Sequence, residues 1–197
     1  MESVLVVPRN ALFSERRFEG YMSLREHDFL PVIKKYGFFT ERDEELEKNT
    51  DLKQIIPYQI FTFDNKLFLY QRVFSQLEKR HLGKVSVGIG GHINTQGQDI
   101  ADAIEAGRRQ ELAEEVDYGS GHAAEVVGFL NLEYDIHAVH FGILYLLRGS
   151  SPDIRMKEEN NKTIGLFRVE DLQAYYPNME DWSKLVLEHA SDFLPQK

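Results

Sequence analysis

Residues 88–116, GIGGHINTQGQDIADAIEAGRRQELAEEV, constrain this chain more than any other stretch. A β-rich run over 85–89 feeds straight into the pair Gly90-Gly91. A polar loop follows, and the apolar spacing predicts a helix from about residue 99 to 116. Near its end stand Glu111, Glu114 and Glu115. At i, i+3 and i+4 they project from one helical face. Like charges so spaced cost roughly 0.2–0.5 kcal/mol per pair in an exposed helix, and the negative end of the helix dipole adds a further penalty. An arbitrary acidic run is most often a solvated face. Clustered carboxylates are also the hard oxygen ligands that Mg²⁺ or Mn²⁺ prefer, and a bound dication turns the repulsion into attraction. Glycines let a backbone approach a ligand closely. A strand, a glycine pair, a loop and an acid-ended helix in that order are far more specific than any one of them alone.

The rest of the chain supplies strands around this unit. Residues 3–7 are an apolar run ended by Pro8, read as a strand. Ser23 and Glu26 have capping-box spacing and predict a helix through about Lys35, with Gly37 at its exit. Residues 40–53 are polar, either a loop or a short helix. The runs IPYQIFTF and KLFLYQR flank Asp64-Asn65 and predict a hairpin over 55–72. A basic loop over 73–83 carries Lys79, Arg80 and His81. Further strands are expected over 124–134, 137–148 and 163–169, and helices over 170–176 and 182–193. Strands interrupted by one helix and closed by others predict an α/β fold, a mixed sheet packed between helices. A chain of 197 residues suits one domain, or one domain with an extension.

Charge and composition narrow the function. A net charge of −9 disfavours nonspecific nucleic-acid binding, so a phosphate-bearing small substrate would need a metal or a few Arg and Lys side chains. The absence of cysteine removes disulfides, zinc-thiolate sites and thiol nucleophiles, and suits a reducing compartment. The start, MESVLVVPRNALF, does not read as a signal peptide, and no run approaches the ~20 apolar residues of a bilayer span. The expectation is a cytoplasmic, soluble protein with no membrane partner.

At this point the residues resemble the Nudix hydrolase family, whose signature leads from a glycine through a glutamate to Arg-Glu-apolar-x-Glu-Glu-x-Gly-apolar. Glu111, Leu112, Glu114 and Glu115 match its centre, and Gly91, with Gly90 before it, matches its opening. The likeness is sharp over 88–118 and looser over 55–193. There are departures. The loop after Gly91 is five residues longer than the pattern, and Asp102 stands for the first glutamate. Gln110 replaces the arginine thought to orient the glutamates. Asp117 replaces the closing glycine, so Gly119 and Gly121 are expected to move the helix exit later. Arg108 and Arg109 adjoin Gln110, but each residue turns the helix by about 100°, so neither points its way.

The resemblance implies a divalent-metal-dependent hydrolase, with Mg²⁺ or Mn²⁺ as cofactor, cleaving a pyrophosphate bond in a nucleoside diphosphate linked to another moiety. Glu114 and Glu115 would be metal ligands, Glu111 a ligand or the base that takes a proton from water, and a carbonyl of Gly90 or Gly91 would complete the shell. Arg72, Lys84 and His92 are candidates to meet the nucleotide-like substrate. Glu158 and Glu159 are candidates for an additional acid. His137 and His140, three apart on a strand, would face opposite sides and are read as ordinary sheet histidines. The expected division is an extension over 1–54, packed on the core or at a dimer interface, and a Nudix domain over 55–197. A homodimer is implied by resemblance. The competing readings are a Nudix-fold module that binds a nucleotide-like ligand or a protein without turnover, and the isomerase branch of the fold, which a cysteine-free chain suits poorly.

Overall fold

The computed structural model describes residues 2–73, 83–94, 99–157 and 160–194. The basic trio Lys79, Arg80 and His81 therefore lies outside the described residues, as do Glu158 and Glu159. The fold is α/β, a large mixed sheet with helices, as the alternation of elements predicted. Among the described residues no helix is long and apolar enough to cross a membrane. The chain forms two compact units: Met1–Tyr58 with Gly90–Glu111 and Val126–Leu144, and Gln59–Ile89 with Leu112–Glu125 and Tyr145–Lys197.

In the first unit, β1 (Ser3–Pro8) is apolar throughout its buried stretch. It pairs antiparallel with β3 (Phe38–Glu41) and with the start of β4 (Leu52–Phe63), where Val6 faces Gln54. After the short α1 (Arg9–Leu12), β2 (Gly20–Ser23) pairs with β9 (His122–Asn131), Ser23 facing Gly128. The predicted capping box does form hydrogen bonds: Ser23 N donates to Glu26 Oε2 at 3.3 Å and Arg25 N to Ser23 Oγ at 3.3 Å. They close a turn rather than a helix, because Ser23 is already committed to its strand partner. The helix, α2 (Leu30–Tyr36), starts later, with proline in its first turn. Phe29 sits at the centre of this unit's core, its ring meeting those of Phe13, Phe18, Phe129 and Phe141 with centroids 5.1–6.2 Å apart.

Lys53 of β4 is fully buried in the same unit. Its ammonium donates to the carbonyls of His137 and His140 at 3.4 Å each and lies 3.8 Å from Glu133, which Arg9 also grips. Burial pulls its pKa down to about 8 against the pull of Glu133. These contacts hold a 3₁₀ turn, Asp135–Val139, ahead of β10 (His140–Gly149). His137 thus leaves the strand predicted for it.

In the second unit the predicted hairpin is present: the end of β4 returns through Asp64 (φ 50°) and Asn65 (φ 57°) into β5 (Lys66–Arg72). Positive φ at both central residues is the type I′ geometry that matches strand twist. On its other edges β5 pairs with β6 (Val85–Ser86) and β12 (Asn161–Phe167), and β7 (Gly88–Ile89) pairs with β4. The predicted strand over 85–89 is thus broken at Val87, whose N–H is taken by the Ser183 hydroxyl of α5 (Asp181–Glu188) at 3.1 Å. The remaining elements are β8 (Val116–Asp117), β11 (Arg155–Met156) and α4 (Val169–Leu172).

Candidate functional site

The strand β7 delivers the chain into Gly90 and Gly91 against β4. A Cβ on Gly90 would lie 2.8 Å from the Pro57 carbonyl, so the turn lies flat on the strand. Gly91 is more tightly constrained. A Cβ there would lie 2.1 Å from Glu111 Oε2, 2.4 Å from Cδ and 2.7 Å from Oε1. The glutamate's carboxylate occupies the space a side chain would need. Two residues on, the Ile93 carbonyl accepts from Leu5 N at 3.0 Å, and the Ile93 side chain would meet a Cβ on Gly107 at 2.9 Å. Gly107 thus lets the helix approach the turn closely.

That helix, α3 (Ile100–Glu115), begins where expected. Asp99 caps it, its Oδ1 accepting from Asp102 N at 2.9 Å. Its end differs. The chain leaves the helix at Glu115 and enters β8, where Val116 pairs with Met156 and Asp117 with Arg155. Asp117 therefore serves a strand, and the glycines at 119 and 121 do not extend the helix. Asp102, at the place of the first signature glutamate, is exposed on the opening turn.

Glu111 and Glu115 are half-buried and Glu114 is exposed. The two arginines beside Gln110 turn back one helical turn: Arg108 Nε donates to Glu105 Oε2 at 2.9 Å and Arg109 Nε to Glu105 Oε1 at 2.7 Å. The Arg108 hydrogen bond is the main reason Glu105 titrates below its usual range. Glu115 is met from another strand. Asn161 Nδ2 donates to its Oε2 at 3.1 Å, and its carbonyl accepts from Lys157 N at 2.8 Å.

Of the substrate candidates, Arg72 is held by Glu180, Nε to Oε1, at 2.5 Å. Burial opposes its charge, but the neighbouring Tyr70, Glu180 and Glu115 raise its pKa above the usual arginine value. Lys84 is half-exposed, and its carbonyl accepts from Arg72 N at 3.0 Å. His92 packs on His140, their Nε2 atoms 3.3 Å apart. His140 Nδ1 faces the Ile136 carbonyl at 2.5 Å and must donate to it. Burial, with the charges of Arg42 and His140, lowers the His92 pKa to about 3. His92 is therefore neutral at ordinary pH. It can hydrogen-bond a substrate but cannot offer it positive charge.

The donor types suit a hard dication: helix-borne carboxylates, and the backbone carbonyls of the glycine turn against which Glu111 sits. Among the described residues, no three His, Asp or Glu side chains stand close enough to hold an ion as they are oriented. Sequence reasoning missed Asn161 and Glu180. Neither belongs to a motif, and only strand register brings Asn161 to Glu115.

No protein-family model matches the chain. It is 28% identical over 199 residues to protein YmaB of Bacillus subtilis (strain 168), covering 95% of this chain and 96% of YmaB. The crystal structure of Tm1382, described provisionally as a Nudix hydrolase, is similar with a TM-score of 0.80 and 31% identity, over 96% of this chain and 98% of Tm1382. The Nudix domain of NrtR from Shewanella oneidensis, solved with ADP ribose, shares the fold at 16% identity and a TM-score of 0.55, over 76% of this chain and 92% of that domain.

Proposed function

The chain belongs to the Nudix hydrolase family, and from that membership we propose that it hydrolyses a pyrophosphate bond in a nucleoside diphosphate linked to another moiety, with Mg²⁺ or Mn²⁺ as cofactor. The observation that carries the reading is that the Glu111 carboxylate occupies the space a side chain on Gly91 would need. A solvated acidic face has no need of such a contact, whereas a ligand set drawn from a turn and a helix does.

Glu111, Glu114 and Glu115 would hold the ion, with the carbonyl of Gly91 alongside. A bound dication polarises phosphoryl oxygens and lowers the pKa of bound water. The chain's own residues do the rest. Glu111, fixed against the turn, either ligates or accepts the water proton. Lys84 offers its ammonium to a substrate phosphate, and neutral His92 orients the substrate by a hydrogen bond. Arg72, expected beside them, has its guanidinium engaged by Glu180. We place residues 1–54 as an extension packed on a Nudix domain of 55–197. The Leu5–Ile93 hydrogen bond supports this. A homodimer is tested by light scattering on the full chain. A cytoplasmic location is supported by the cysteine-free composition.

The NrtR domain's ADP ribose makes that compound and nucleoside diphosphate sugars the first probes. Dinucleoside polyphosphates, nucleoside triphosphates and 5′-triphosphate RNA complete the panel. Metal-dependent release that vanishes in Glu114→Gln is the expected result. Tight binding with no turnover across the panel would instead establish the second reading, a ligand-holding module. Gln110 in the arginine position, with Arg108 and Arg109 both turned to Glu105, favours that alternative.

A further inference from the structure

The signature arginine is absent at position 110, and the two arginines just before it, Arg108 and Arg109, bond to Glu105. The half-buried Glu115 still needs an anchor, since a long carboxylate side chain samples several rotamers. One is present off the helix. Asn161 is nearly buried, at 9% exposure, and its amide donates to Glu115 Oε2 at 3.1 Å. It opens β12 directly opposite Arg72 of β5 in the antiparallel register. Arg72 is clamped by Glu180, itself 8% exposed at the N-terminus of α5. Lys157, a few residues before Asn161, ties down the helix end. Its N–H donates to the Glu115 carbonyl at 2.8 Å and its Nζ to the Ala113 carbonyl at 2.5 Å.

We propose that Asn161, opposite Arg72 in the β5–β12 register, replaces the missing signature arginine as the positioning residue for Glu115. The neutral amide fixes the carboxylate's orientation, and the Arg72–Glu180 pair holds the strand end opposite the one from which it donates. A neutral donor has a physical advantage. An amide donor orients a carboxylate without neutralising it, whereas a direct ion pair would compete with the dication for the same charge. The inference rests on Glu115 being a metal ligand, as proposed above.

The test is calorimetric titration of the full chain with Mn²⁺ alone. Asn161→Ala should weaken Mn²⁺ binding about tenfold, the usual effect of removing a hydrogen-bond partner from a metal-ligating side chain. Arg72→Met paired with Glu180→Gln, which avoids stranding a buried carboxylate, should do the same, and Arg72→Lys should lose less. The unfolding temperature of metal-free Asn161→Ala should stay close to wild type, and in turnover kcat should fall with KM little changed. Adding Gln110→Arg to Asn161→Ala should restore most of the Mn²⁺ affinity, which a merely structural role for Asn161 does not predict. Wild-type Mn²⁺ affinity in both Asn161→Ala and the Arg72/Glu180 pair would overturn the inference and leave the metal site standing. A loss that Gln110→Arg does not relieve would also overturn it. Absence of Mn²⁺ binding in the wild-type protein would overturn both readings at once.

Discussion

Gly91→Ala tests the contact on which the functional reading depends. The added methyl would sit 2.1 Å from Glu111 Oε2, whereas ordinary contact begins near 3.4 Å. The carboxylate must therefore retreat by on the order of 1 Å or rotate away. The backbone itself does not object. Gly91 is not among the positive-φ glycines, so alanine can adopt its conformation. Such a replacement narrows the unfolded ensemble and stabilises by about 0.4–1 kcal/mol, which offsets part of the local strain. Fold and function should thus separate. The unfolding temperature should change little, while Mn²⁺ affinity and turnover fall. A misplacement of about 1 Å at a reacting centre costs about a hundredfold in rate, or roughly 2.7 kcal/mol. Gly119→Ala is the matched control, because a Cβ there meets nothing within 4 Å. Calorimetric Mn²⁺ titration and hydrolysis of the best panel substrate read the outcome. If Gly91→Ala keeps both within about threefold of Gly119→Ala, Glu111 does not need its seat on the turn and the reasoning fails.

Three further outcomes follow from the same structure. The buried Lys53 has its pKa lowered to about 8 from 10.5, so between those values the unfolded chain binds the extra proton; stability should rise with pH across that window, by up to about 1.4 kcal/mol per unit. Lys53→Met should flatten this rise in urea unfolding measured from pH 7.5 to 10, and an unchanged slope would mean that Lys53 is not the group responsible. Asn65 holds φ 57° in the hairpin turn, so Asn65→Val should lower stability by about 1–2 kcal/mol while Asn65→Gly should not, as read by chemical denaturation. Glu114→Gln removes one like charge from the helix end and should stabilise the metal-free protein by about 0.5 kcal/mol while shrinking the rise in unfolding temperature that Mn²⁺ produces; a less stable metal-free variant would argue against repulsion at this face.

What could be read from the sequence was what local chemistry determines. Asp64-Asn65 forces a tight turn wherever it falls between β-rich runs, so the hairpin was legible, as was the order of strand, glycine pair and helix. Where a distant partner decides, the sequence was silent or misleading. Ser23 and Glu26 do exchange hydrogen bonds, but pairing of Ser23 with Gly128 claims the residue for a strand and the helix waits until Leu30. The end of α3 near 116 was legible, but the later exit suggested by Gly119 and Gly121 does not occur, because pairing of Val116 and Asp117 with Met156 and Arg155 draws the chain out of the helix at Glu115. His137 was assigned to a strand, yet the ammonium of Lys53 gathers the carbonyls of His137 and His140 and stabilises a 3₁₀ turn. Asn161 and Glu180 had no signal at all, because each owes its place to register or to a helix terminus rather than to a pattern.

These corrections bear on why the helix tolerates its three acids. Ending α3 at Glu115 puts all three glutamates in the last two turns, where the dipole disfavours them most. A sequence selected for helix stability alone would place lysine or arginine there. This chain instead supplies lysine from outside, with Lys157 serving the Glu115 and Ala113 carbonyls. That arrangement meets the helix end's demand for donors from outside the helix. Arg108 and Arg109, which could have neutralised that face, are turned toward Glu105 instead. The hydrogen bonds from Lys157 and Asn161 thus fix the position of the helix end. An acidic face kept only for solubility would require neither the Gly91 seat nor the Asn161 donor. The dication site proposed for this face would require both.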